Sequence, residues 1–169
     1  MTPLLAILLV AGAAAGGSLA MRKPPAPSDT ADINHAIHVG RDIECEVCHE
    51  GVTERDRAGI PSITVCIDCH EDDDAEALGG TPNAALIASH LESGEELWWT
   101  IHYVLPGHVV FSHRRHVAWG EIPCAACHGA IAKSTSVPAR PVTRALEMKG
   151  CIACHETSGV SNDCWTCHR

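Results

Sequence analysis

The sequence predicts a mostly irregular fold of short α-helices, led by one N-terminal transmembrane helix. Three observations predict it. One five-residue pattern, Cys-x-x-Cys-His, is written five times and uses all ten cysteines. One Phe, one Tyr and four Trp are too few aromatics for an ordinary side-chain core in a chain of 169 residues. No charged side chain occurs from Met1 through Met21, and most of that stretch is apolar.

The five copies fall at Cys45, Cys48 and His49; Cys66, Cys69 and His70; Cys124, Cys127 and His128; Cys151, Cys154 and His155; and Cys164, Cys167 and His168. This pattern is the attachment signature of a c-type haem. The two thiols add across the haem vinyl groups as thioethers. The histidine directly after the second cysteine then lies under the iron as an axial ligand. Zinc ribbons pair two Cys-x-x-Cys knuckles into one tetrahedral site, and five knuckles do not pair off. Neither a zinc site nor a disulfide scaffold calls for a histidine after every knuckle. A thioredoxin-like motif occurs once beside a βαβ pattern, which this chain lacks. Five covalently bound haems c are therefore expected, and the porphyrins themselves should form most of the core. Without them little stable fold is expected, as in small domains that depend on a metal.

The formal charge is −9, from 12 Lys and Arg against 21 Asp and Glu, and haem propionates add to it. That balance argues against nucleic acid as a partner. The run Glu71-Asp72-Asp73-Asp74 reads as a solvated face, with docking of a basic partner as its functional alternative. Covalent haem attachment takes place outside the bacterial cytoplasmic membrane, so export is implied. Residues 1–21 are long enough to cross a bilayer. Ser18-Leu19-Ala20 also resembles a small-x-small cleavage site. No Lys or Arg precedes the apolar run, and Arg22 and Lys23 follow it, which is the unusual side for an exported domain. The expectation is a single uncleaved N-terminal anchor on the periplasmic side of the cytoplasmic membrane. No cysteine is left over for a lipid anchor.

A Pro-rich linker follows over 22–34, stiff enough to hold the rest off the membrane. His35-Ala-Ile-His38 opens a two-haem module over 35–80, with the first cysteines of its motifs 21 residues apart. Arg57-Ala-Gly-Ile-Pro-Ser reads as the turn between them. A connector over 81–107 begins with a helical pattern from Asn83 to Leu91, where Leu86, Ile87 and Leu91 share a face and Gly94 lies past the end. Trp98, Trp99, Ile101, Tyr103 and Val104 form an apolar stretch suited to packing on haem. The module over 108–169 repeats the His-x-x-His pattern at His113 and His116, eleven residues before Cys124. Val137–Val142, with two prolines, reads as a loop, and the last two motifs begin 13 residues apart.

Seven histidines lie outside the motifs: His35, His38, His90, His102, His108, His113 and His116. An iron with two strong axial ligands does not readily bind substrate, so counting ligands bears on function. Residues three apart on a helical turn lie on one side, and each His-x-x-His pair can serve two different haems. That accounts for four sixth ligands. The fifth is open between His90, His102, His108 and Met148. A lone Met is ordinarily core filler, whereas as a ligand its thioether raises the potential.

Phe111-Ser-His113-Arg-Arg-His116, the motif that follows it and the 13-residue spacing of the last two motifs resemble the small triheme members of the class III multihaem cytochromes c, over 108–169. The resemblance implies that His113 serves the haem of His128, His116 that of His155, and Met148 that of His168. That family ordinarily has a histidine near this last position. A resemblance covering nearly the whole chain is to the pentahaem, membrane-anchored cytochrome subunit of alternative complex III. It is carried by His35-x-x-His38, Ala58-Gly-Ile-Pro61, His102-x-x-Leu105-Pro106, Val110-Phe111-Ser-His113, Met148-x-x-Cys151 and the terminal Cys164-Trp-Thr-Cys167-His168-Arg169. It implies His35 for the haem of His49 and His38 for that of His70.

The expected function is electron transfer, with no catalytic residue in this chain. The second resemblance implies a subunit of a quinol-oxidising membrane complex of the respiratory chain. Its partners would be iron–sulfur and quinol-interacting membrane subunits and a periplasmic cytochrome c or oxidase acceptor. A soluble periplasmic shuttle or haem filament is the alternative if the N-terminus is cleaved. A multihaem reductase would need an open iron position, and the sequence offers eight candidate sixth ligands for five haems.

Overall fold

The computed structural model describes residues 30–71, 76, 78, 84–136 and 146–169. The expected helix over 1–21, the linker as far as residue 29, Asp72 to Asp74 and the loop Val137–Val142 lie outside the described residues. The described helices are short. They are α1 (His35–Val39), α2 (Cys45–Cys48), α3 (Ile63–His70), α4 (Ala84–Ser93), α5 (Cys124–His128), α6 (Met148–Ser158) and α7 (Cys164–Cys167). A π-helical segment runs over Arg114–Trp119 and a 3-10 turn over Ile131–Lys133. Much of the rest has no regular structure, as the aromatic-poor composition predicts. No helix among the described residues is long and apolar enough to cross a membrane.

The side-chain core is small and sits on one motif helix. Ala31, Ile63, Leu91 and Leu97 are buried together, with Cys66, Ile67, Ile87 and Trp99 packed around them. Ile63, at 1% exposure, is the anchor. Helix α4 supplies Ala84, Ile87 and Leu91, one apolar stripe at helical spacing, and ends before Gly94 at φ +67°, a conformation that favours glycine. Two parallel two-residue strands, β1 (Thr30–Ala31) and β2 (Trp98–Trp99), close the cluster. Ser62 precedes α3 without making a side-chain cap. The cap comes from far along the chain: the Ile63 amide donates to the Glu96 carboxylate at 3.0 Å. A carboxylate there satisfies an orphan amide and faces the positive end of the helix dipole. The Trp99 indole N–H donates to the Pro61 carbonyl at 2.9 Å, fixing β2 against the entry to α3.

The other motif helices, α2, α5, α6 and α7, bury no side chain in the protein. They have no side-chain N-cap and are closed at their C-terminal ends by backbone bonds. Asn34 caps α1 by accepting from the Ile37 amide at 3.2 Å. Helix α1 packs against the 3-10 turn, where the Ala36 amide donates to the Ser134 carbonyl at 3.0 Å. The carbonyls of Arg55 and Asp56 accept from the amides of Arg114 and His113, at 3.0 and 3.1 Å. The C-terminus pairs back on the start of its module: Val109 bridges His168 antiparallel, with the Val110 amide on the Cys167 carbonyl and the Arg169 amide on the His108 carbonyl. Of the apolar stretch from Trp98 to Val104, Trp99 joins the side-chain core and Tyr103 turns to His128, while Trp98, Ile101 and Val104 are exposed.

Candidate haem sites

Each motif places its cysteines three apart on a helical turn, so both sulfurs lie on one side of the helix. No disulfide joins any of the ten. Burial pushes the Cys45, Cys48, Cys66, Cys127 and Cys151 thiols up, which keeps them neutral.

The histidines decide whether such sites fit an iron. With a metal–nitrogen bond of about 2 Å, two imidazoles on opposite sides of one metal have ring centroids roughly 6.3 Å apart. The structure brings three pairs to that separation. His38 and His70 are 6.2 Å apart, His113 and His128 6.4 Å, and His116 and His155 6.1 Å. Each joins a His-x-x-His member to a motif histidine, in the pairing implied by the sequence resemblance. Among the described residues no ring contact of that kind is seen for His35, which is close enough to His49 to feel its charge. Burial holds the His35 imidazole below its ordinary pKa, and His49 and His38 push it further down, with Asp32 opposing. Burial likewise lowers His128, helped by His113 and then His49. The neutral imidazole so favoured is the form that binds metal.

Second partners set which ring nitrogen is available. The Nδ1–H groups of His38, His49, His113, His116 and His155 donate to the carbonyls of Asn34, Gly59, Asp56, Ser112 and Ser161, at 2.7–3.1 Å. A carbonyl only accepts, so Nδ1 carries the proton and Nε2 is left as the donor to a metal. Phe111 braces both members of one pair. Its ring stacks on His116 at 4.5 Å and meets the edge of His113 at 4.9 Å. The sequence quotes this Phe within its motif but offers no signal for its contacts.

The four candidates for the remaining position are placed differently. Met148 is the first residue of α6 and 65% exposed on the chain, one turn before Cys151 and on the same side of the helix. The Cys151 thiol is raised by burial and next by Cys167 of the last motif. His108 stacks on His168 at 5.4 Å, but its backbone is hydrogen-bonded to Arg169. Its chain neighbour Val109 pairs with His168, so the His108 and His168 Cα atoms stand within about 9 Å, whereas ligands on opposite faces of one iron stand more than about 10 Å apart at Cα. His108 therefore flanks the proximal imidazole and does not oppose it. His90 donates Nδ1–H to the Glu95 carbonyl at 2.9 Å and lines a cavity of about 380 Å³ with Glu95, Glu96, Leu97 and Trp98. His102 is half-buried in irregular chain.

Sequence reasoning missed the Tyr103 hydroxyl. It is buried with no hydrogen-bond partner in the protein, and its ring meets His128 edge-on at 5.2 Å. His35 Nδ1 is likewise buried without a hydrogen bond of normal geometry. Orphaned polar atoms beside axial histidines suit a site completed by a group with an iron and carboxylates. Paired sulfurs, imidazoles at iron-bridging separation with Nε2 available, and these orphans fit haem c.

The family model described as cytochrome c7 and related cytochrome c matches residues 109–169. The multihaem cytochrome c subunit of menaquinone reductase from Nitratidesulfovibrio vulgaris is 30% identical over 161 aligned positions, covering 80% of this chain and 74% of that one. The chain is a multihaem cytochrome c. A small side-chain core and motif helices that bury almost no protein side chains are consistent with that family, in which covalently bound haem c belongs to the fold.

Proposed function

We propose that this cytochrome is the electron-transfer subunit of a membrane quinone-linked complex, holding five haems whose irons each have two protein ligands. The observation that carries this reading is the set of three histidine pairs at iron-bridging separation. Covalently held haem supplies reversible one-electron chemistry. The chain's own residues do the rest. Cys45, Cys48, Cys66, Cys69, Cys124, Cys127, Cys151, Cys154, Cys164 and Cys167 attach the groups. His49, His70, His128, His155 and His168 are proximal ligands, and His35, His38, His113, His116 and Met148 close the opposite sides. Backbone carbonyls hold the Nδ1 protons and so orient the imidazoles. Closed irons leave no position for substrate, so the chain conducts and its partners do the chemistry.

The membrane placement rests on the apolar stretch 1–21, acting as a single anchor with the haem domain on the periplasmic side. The partners are iron–sulfur and quinone-interacting membrane subunits at one end and a periplasmic electron carrier at the other. The name of the Nitratidesulfovibrio vulgaris relative supports electrons moving toward the quinone. The sequence expectation, drawn from resemblance to alternative complex III, was quinol oxidation. A closed-iron chain runs either way, its direction being set by the potentials of its partners. Purification from membranes in mild detergent tests the reading. Expected are co-purifying quinone-interacting subunits and a faster exchange with a menaquinone analogue in the reductive sense. A haem-loaded chain recovered alone from the periplasm, beginning after Ala20, would refute the membrane assignment.

A further inference from the structure

We propose that the five haem sites form one unbranched series in space, ordered second, first, third, fourth, fifth by motif, so that only the sites of His70 and His168 are ends. The proposal rests on reading the paired histidines as axial ligands.

Two links follow from shared turns. His35 and His38 sit one turn apart on α1, where residues three apart have Cβ atoms about 5–6 Å from one another. His38 faces His70, and between the first two motifs Val47 and Cys48 of α2 and Ser62 and Val65 at the start of α3 line one cavity. The first and second sites are therefore neighbours. His113 and His116, at the start of the π-helical segment, both contact the Phe111 ring and face His128 and His155, which makes the third and fourth sites neighbours.

The link between the groups is the step that chain order does not suggest. Motif order would join the second site to the third. The structure instead joins the first to the third, from two sides. On one side α1 packs on the 3-10 turn Ile131–Lys133, which packs on α5, the helix of His128. On the other, Asp56, in the loop after His49, accepts from both the amide and Nδ1 of His113 at 3.1 Å. His116 instead turns its Nδ1 to Ser112 within its own turn, so the bond to the first group is made by the third site's ligand. The thiols agree: Cys45 is raised by burial and then by Cys124. The second site is turned away, with α3 packed on α4 and the side-chain core.

The last link is short. Helix α6 carries both Met148, which closes the fifth site in this reading, and, one turn later, the fourth motif, while residues 108–110 hold Cys167 and Arg169 by backbone bonds. With these four links every electron crossing the chain passes the junction of the first and third sites. Each hop oxidises the site it leaves and reduces the site it enters, with no proton required. Partners must then approach the His70 and His168 ends.

The test uses the haem-loaded full chain and a potentiometric titration in which each haem is followed separately by magnetic resonance. Reduction of one iron disfavours reduction of its neighbours, and the effect falls with distance. His38→Met, which raises the potential of the second site, should shift the first site and leave the third, fourth and fifth unmoved. Met148→His, which lowers the fifth, should shift the fourth alone. A shift of the third site in His38→Met, or of the first or second in Met148→His, overturns the order. Should a variant fail to load haem, iron positions in a map of the unaltered holo chain decide the same question: the closest iron–iron distances must be 2–1, 1–3, 3–4 and 4–5. A chain with this order that exchanges no electrons with a quinone-linked complex refutes the proposed function alone. An active subunit with a different neighbour pattern refutes the order alone.

Discussion

His116→Ala gives the sharpest test of the closed-iron reading. In the structure this imidazole is 6.1 Å from His155, donates Nδ1–H to the Ser112 carbonyl at 2.8 Å and stacks on Phe111 at 4.5 Å. The hydrogen bond is worth about 0.5–1.5 kcal/mol, and the ring contact about as much again. The variant should therefore be roughly 1–3 kcal/mol less stable, a loss that the four other intact sites and the backbone bonds to α1 absorb. The functional effect is larger and qualitative. One iron in five gains an open position, becomes high-spin when ferric and binds carbon monoxide when ferrous. The assay is carbon monoxide titration of the dithionite-reduced protein, with haem content measured in parallel. Expected are no carbon monoxide bound in the unaltered chain and one per chain in the variant. A fully loaded His116→Ala protein that binds none would refute the pairing with His155. An unaltered protein that binds one or more would refute the closed-iron reading and favour a reductase.

Met148→Leu should abolish the weak long-wavelength thioether–iron band of the ferric protein, and the unaltered protein lacking that band would remove Met148 as a ligand. Tyr103→Phe separates two states of one hydroxyl. If a haem propionate near His128 accepts from it, the variant loses about 0.5–1.5 kcal/mol of stability and the third haem changes potential; if it is unpaired in the loaded protein, the variant gains stability in thermal melts. Ile63→Ala should cost about 2–5 kcal/mol, because Ile63 is 1% exposed at the centre of the side-chain core, and the second haem should be the first lost in a denaturant series. Glu96→Ala leaves the Ile63 amide without its carboxylate and should cost about 1–3 kcal/mol in the same series.

What was legible in the sequence was what depends on covalent spacing. Two cysteines three apart and the next histidine make a complete local unit, so the five attachment sites are readable without a fold. Helix α4 was readable because its apolar stripe repeats at helical spacing, whereas the Asn34 cap that starts α1 was found only in the structure. The α3 cap by Glu96 was not readable, since 33 positions separate it from Ile63 and one carboxylate in an acidic chain carries no signal. Nor was the stacking of His108 on His168, which depends on the return of the C-terminus to Val109.

The sequence by itself determined that haem c is the cofactor, through five Cys-x-x-Cys-His motifs, and it offered a surplus of further candidate ligands, because a motif is a property of adjacent residues. Only the tertiary structure decided which imidazoles face one another, that His108 lies beside the His168 ring and not across from it, and that the loop after the first motif holds His113. Those relations are set by contacts between segments distant in the chain, above all α1 on the turn after α5 and Asp56 on His113.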